Sequence, residues 1–153
     1  MSRLLFLDSG PLGLITQPQR TPEVITVTNW LLSCIENGTR VFVAAIVYYE
    51  LKRELLRAKK LGSIGRLDAF INSDAGRYVP LSDGALQLAA ELWAKARQEG
   101  RPTADSKSLD VDVILAAQAL SFGITPSDVV IATTNERHLA RFVNAKSWAN
   151  ILP

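Results

Sequence analysis

Three short apolar runs, each followed by a helical pattern, constrain this chain more than anything else in it. Leu4-Leu-Phe-Leu7 runs into Asp8-Ser-Gly-Pro11. Arg40-Val-Phe-Val-Ala-Ala45 passes into a helical pattern from Ile46 through Glu50, Leu51, Leu55 and Leu56. Asp128-Val-Val-Ile-Ala-Thr133 is followed by Thr134, Asn135 and a short helical stretch over Glu136–Phe142. Runs that stay apolar without alternating suit strands buried on both faces. Such strands separated by helices predict an α/β fold, a central parallel sheet of four or five strands flanked by helices. Tyr78-Val-Pro-Leu81 and Ser147–Ile151 are the weaker strand candidates; Pro80 suits a sheet edge or a strand end.

The intervening segments have helix signals. Leu12–Ile15 reads as a short helix. Thr21 and Pro22 supply an N-cap and a first-turn proline, and Asn37-Gly38 ends that helix after Val27, Trp30, Leu31 and Cys34. Gly62 interrupts the pattern that follows Ile46, and a further helix covers Ile64–Asn72. Ser82 caps a helix over Gly84–Gln98; Glu99–Ser106 is the longest loop signal, and the next helix ends near Phe122-Gly123. The three tryptophans, Trp30, Trp93 and Trp148, sit in apolar patterns and read as core or interface anchors. With 153 residues and 48% apolar content, one domain over residues 1–153 can fill a core. The single cysteine, Cys34, excludes an internal disulfide and fits a cytosolic setting. No apolar run is long enough for a membrane span or a signal segment. A net charge of +2 permits a nucleic-acid partner without demanding one.

In parallel sheets the site forms outside the carboxyl ends of the strands. Asp8 follows the first strong strand, Glu50 follows the second one helical turn later, and Thr133, Thr134 and Asn135 follow the third. Asp112 opens the helix Leu109–Leu120 that leads into that third strand. A helix start favours negative charge, which accounts equally well for Asp110 and Asp112. Two residues apart on a helix means different faces, so the two acids are not expected to share one role. Leu115, Ala116 and Ala119 follow Asp112 at helical spacing and form a narrow seam. Crowded carboxylates repel, and a divalent cation relieves that repulsion. Oxygen-only ligands select Mg²⁺ or Mn²⁺, and the single histidine, His138, argues against zinc. A hard cation on carboxylates suits phosphate chemistry.

These residues resemble the PIN-domain ribonucleases: Asp8 after an apolar strand, Glu50 in Tyr49-Glu-Leu-Lys-Arg53, Asp112 in Asp-Val-Ile-Leu-Ala-Ala117, and Ala132-Thr-Thr-Asn135. By motif the subgroup is the VapC-like toxins of toxin–antitoxin pairs. The resemblance runs from about Leu4 to Phe142. It implies a parallel sheet between helices, an acidic Mg²⁺ or Mn²⁺ site and metal-dependent cleavage of RNA. It further implies a small antitoxin partner and a homodimer. Asp8, Glu50 and Asp112 would then be metal ligands, directly or through water, and Asn135 stands where many members have a fourth Asp. Asp110 and Asp105 are further candidates for a missing carboxylate.

Two departures from the family pattern stand out. The first motif reads Asp8-Ser9-Gly10, where an amide commonly follows the hydroxyl, and Asn135 replaces an acid. They motivate an alternative reading, a catalytically weak or inactive PIN-like module that binds RNA or protein. A haloacid-dehalogenase-like phosphatase needs a second Asp two residues after the first, where this chain has Gly10. Ser9 and Thr133 are placed to orient neighbouring carboxylates or to satisfy turns. Arg53, Arg57, Lys59 and Lys60 form a basic run, either a solvated face or a phosphate-tracking rim.

Overall fold

Continuous apolar strands are paired in parallel throughout the sheet. The computed structural model describes residues 3–100, 106–122 and 128–153. The elements are β1 (Leu4–Leu7), α1 (Ser9–Thr16), α2 (Pro22–Glu36), β2 (Arg40–Ala44), α3 (Ala45–Arg57) and α4 (Leu61–Asn72). There follow β3 (Tyr78–Val79), α5 (Asp83–Gln98), α6 (Ser106–Leu120), β4 (Val129–Thr133), α7 (Glu136–Leu139) and β5 (Ala145–Ser147). A 3₁₀ turn, Trp148–Asn150, comes after β5. The five strands lie in the order β3-β2-β1-β4-β5, every neighbouring pair parallel. This is the α/β architecture expected from the sequence.

The order puts β1 and β4 side by side at the centre, with Leu5 opposite Val130 and Leu7 opposite Ala132. Leu5, Phe6, Leu7, Val43 and Ile131 are fully buried, and each such side chain contributes about 1.5–3 kcal/mol of hydrophobic stabilisation. Phe6 stacks on Phe42 at 5.5 Å, and Phe122 closes on Phe42 at 4.5 Å. Against this core lies a second apolar cluster between α5 and α6, built on Ala85, Ala89 and Ala96 facing Leu109, Val113 and Ala117. Trp30 is buried and donates its indole N–H to the carbonyl of Ile151 at 2.8 Å, with Trp148 beside it. Among the described residues no helix is long and apolar enough to cross a membrane.

Several boundaries differ from the sequence reading, each for a local reason. α1 starts at Ser9, because the Asp8 side chain accepts the Ser9 N–H as an N-cap. α6 starts at Ser106, earlier than its apolar pattern, so Asp110 and Asp112 both lie inside the helix. The break between α3 and α4 falls at Ala58–Lys60, with Lys59 left-handed at φ 56°, and Gly62 lies inside α4. The last strand is Ala145–Ser147 rather than Ser147–Ile151: its register to β4 ends at Thr133 opposite Ser147. Beyond it the chain turns on its own bond from Ile151 N–H to the Trp148 carbonyl at 3.2 Å. β3 is only two residues long, and Pro80 follows it directly. Gly123 lies outside the described residues.

The left-handed Lys59 generates a stability prediction. A side chain in that conformation costs roughly 1–2 kcal/mol, while glycine adopts it freely and loses part of the gain to its greater unfolded-state entropy. Lys59→Gly is expected to raise unfolding stability by about 0.5–1 kcal/mol in a urea titration. A lowered midpoint would show that the Lys59 side chain contributes more than its backbone costs.

Candidate active site

Asp8 is fixed by the two central strands. Its N–H donates to the carbonyl of Ala132 at 2.9 Å, extending the β1–β4 pairing by one residue past β1. One carboxylate oxygen accepts the Ser9 N–H at 2.8 Å and the other accepts the Thr133 hydroxyl at 2.8 Å. Thr133 is fully buried, and its hydroxyl oxygen also accepts the Asn135 N–H at 2.9 Å. The hydroxyl therefore relays between Asp8 and the turn after β4. Thr133 acts as the orienting residue, whereas Ser9 acts through its backbone. Burial pushes the Asp8 carboxyl above the usual range, opposed by the bonds from Thr133 and Ser9.

Gly10 follows from the same packing. A Cβ there would lie 2.5 Å from the Thr134 hydroxyl and 2.9 Å from its methyl group. No side chain fits without displacing Thr134, so the glycine at this place of the motif is the counterpart of the threonine after β4.

Asp112 sits in the second turn of α6, half-buried, with Leu115, Ala116 and Ala119 fully buried beyond it. Helix-start charge does not explain it, since the first turn of α6 carries no acid. Its pKa is pushed up to about 7, first by burial and then by the negative charges of Asp8 and Glu50. The strand ends and α3 thus bring Asp8 and Glu50 into electrostatic reach of Asp112. Glu50 is half-buried on α3. Asp110 takes another direction: it is exposed and lines the groove of Leu86, Ala89, Ala90, Trp93 and Ile114 between α5 and α6. Asn135 is exposed at the N-cap position of α7, and its side chain makes no capping bond. Asp105 lies outside the described residues.

The donor chemistry fits a hard divalent cation. All three groups are carboxylates, and among the described residues none of them is in an ion pair. Among the described residues no three acidic, histidine or cysteine side chains are gathered as a ready metal cage. The fit is therefore electrostatic: uncompensated charge falls on one half-buried carboxyl, and a cation would relieve it. His138 is half-buried in the last turn of α7. In the basic run, Arg53, Arg57, Lys59 and Lys60 are exposed, with Arg57 paired to Glu54 at 3.0 Å. Among the buried polar residues that sequence reasoning passed over is Gln118, 2% exposed within the apolar run of α6. A polar side chain on a buried helix face was the available signal.

Comparison with known proteins gives a family match to the PIN domain over residues 15–144. The chain belongs to the PIN-domain family. No curated protein sequence matches it. Among solved structures, FitAcB from Neisseria gonorrhoeae aligns with a TM-score of 0.71 at 22% identity, covering 96% of this chain and 99% of that one. VapBC2 from Rickettsia felis, bound to a DNA fragment from its promoter, gives 0.69 at 17% identity, covering 95% and 98%. VapBC-1 from nontypeable Haemophilus influenzae gives 0.66 at 15% identity, covering 96% and 99%. The resemblance to PIN domains read from the sequence is borne out by the family match, and the fold is shared with the FitAcB and VapBC structures.

The raised pKa of Asp112 sets a pH dependence for this PIN domain without metal. A carboxyl near 7 when folded and about 4 when unfolded keeps its proton in the native state while the unfolded chain releases it. Its contribution to stability is therefore present below about pH 4 and is lost as pH rises through about 7. Thermal melts in EDTA should show wild type losing stability between pH 5 and pH 8 relative to Asp112→Asn. Parallel pH profiles for the two proteins would contradict the charge crowding.

Proposed function

We propose that this PIN domain is a metal-dependent endoribonuclease that cuts RNA phosphodiester bonds, acting as the toxin of a toxin–antitoxin pair. The observation that carries the reading is the charge pressure of Asp8 and Glu50 on half-buried Asp112 at the carboxyl end of the sheet. Members of the family are typically nucleases, and the residues resemble VapC-like toxins. Mg²⁺ or Mn²⁺ held by Asp8, Glu50 and Asp112 would polarise a phosphate oxygen and lower the pKa of a water.

The chain's own residues have separable tasks. Thr133 and the Ser9 N–H fix the direction of the Asp8 carboxylate. Asp112 is about half protonated near neutral pH while the site is free of cation, and a bound cation would favour its ionised form. Asn135, exposed and without a capping bond, offers an amide oxygen at the open side of the turn after β4. The exposed cations of α3 and the turn after it, Arg53, Lys59 and Lys60, provide a phosphate-tracking rim for a single strand of RNA.

Partners follow from the same reading. The likeness to the FitAcB and VapBC structures supports a small antitoxin as partner. Exposed Leu61 and Leu86, 78% and 45% accessible on α4 and α5, support a homodimer. The alternative of a weak or inactive binding module rests on Asn135 alone, because Gly10 is accounted for by Thr134.

Two substitutions test the reading. Asp112→Asn should reduce Mn²⁺-dependent cleavage of a single-stranded RNA pool on the order of 100-fold or more, the size of a lost catalytic group. Undiminished cleavage, or cleavage that persists in EDTA, would reject it. Asn135→Asp adds a charge to the three carboxylates and should tighten Mn²⁺ binding while lowering metal-free stability at neutral pH. If Mn²⁺ affinity by calorimetry, stability and cleavage are all unchanged, Asn135 lies outside the site.

A further inference from the structure

α3, the helix that carries Glu50, begins without a local cap. Its N-cap residue, Ala44, has no side chain able to accept from the first turn. The acceptor comes instead from α6. The side-chain oxygen of Gln118 accepts the Ile46 N–H at 3.2 Å, and the Gln118 amide nitrogen donates to the carbonyl of Val79 at 3.0 Å. Val79 is the β3 residue opposite Ala44, the last residue of β2. One buried amide, 2% exposed, thus joins the helix of Asp112, the start of the helix of Glu50 and the edge of the sheet between them.

The placement matters because the two carboxylates belong to separate helices. Glu50 lies four residues after Ile46, on the same face of α3. Asp112 lies six residues before Gln118, about 9 Å along α6. A hydrogen bond between the two helices inside that span limits how far one can slide or turn against the other. An apolar side chain of equal size would pack there but would leave the Ile46 N–H and the Val79 carbonyl without these partners.

We propose that Gln118 is a positioning residue that holds α3 against α6 and so fixes the spacing of Glu50 and Asp112. The role rests on the metal-site reading above, in which those two carboxylates act on one cation. Gln118 touches neither cation nor RNA; it acts through the first turn of α3.

The test uses the full chain with Gln118→Met, Gln118→Asn and a stability control, Val27→Ala, which opens the core in α2 away from both helices. Asn keeps the amide but is one methylene too short to span both partners, and it serves if the Met variant does not fold. The first readout needs no metal: hydrogen exchange at the Ile46 amide should quicken about tenfold or more in the Gln118 variants beyond the change in Val27→Ala. The second is Mn²⁺ affinity by calorimetry. It should weaken about tenfold in Gln118→Met and at least threefold in Gln118→Asn, and stay near wild type in Val27→Ala. A folded Gln118 variant with wild-type Mn²⁺ affinity would reduce Gln118 to a structural bond and overturn the proposal. Wild-type protein that binds no Mn²⁺, with Ile46 exchange still quickened, would instead overturn the metal-site reading and the positioning role with it.

Discussion

Negative charge that no ion pair among the described residues balances is the constraint on which this candidate site depends. Asp8 cannot swing away, because its backbone extends the central strand pair and both carboxylate oxygens are engaged. Asp112 cannot escape either, because α6 packs into the core on Leu115, Ala116 and Ala119. Glu50 adds its charge from α3. The result is a carboxyl whose pKa reaches about 7, a standing electrostatic cost in the free protein that a bound cation would turn into binding energy.

The fold keeps that arrangement at the centre. β1 and β4 are neighbours within the sheet, with β2 and β5 on their outer sides, so Asp8 and Thr133 emerge side by side from its interior strands. Thr133 is fully buried, which makes its bond to Asp8 hard for water to replace. The tight approach of Thr134 to Gly10 closes the other side of the same corner. The edge strands β3 and β5 are short and take no part in holding Asp8. Asp8 and Thr133 thus stand at the ends of two deeply buried strands.

Much of this was legible in the sequence, for physical reasons. Strands buried on both faces must be apolar at successive positions, so β1, β2 and β4 stood out. The angular spacing of helix positions separated Asp110 from Asp112, and Asp110 indeed lies in the α5–α6 groove. Other features left little trace. Strands of two and three residues, like β3 and β5, are too short for a pattern to fix their ends, so the sequence predicts a longer β3 and a β5 further along the chain. The break at Lys59 carries no compositional mark, while Gly62 attracted the boundary and sits in a helix. The start of α6 over Ser106–Ser108 has no apolar periodicity to announce it. The Gly10–Thr134 approach and the bond from the Ile46 N–H to Gln118 join residues more than seventy positions apart, and only the folded chain brings them together.

The central claim, that Asp8, Glu50 and Asp112 jointly hold one divalent cation, is tested most directly by a crystal grown with Mn²⁺ and measured for anomalous scattering. An anomalous peak is expected between the three carboxylates, within about 2.0–2.6 Å of an oxygen or one water removed from it, and absent from crystals of Asp112→Asn. A peak confined to another face, such as the groove beside Asp110, or no peak at saturating Mn²⁺, would contradict it.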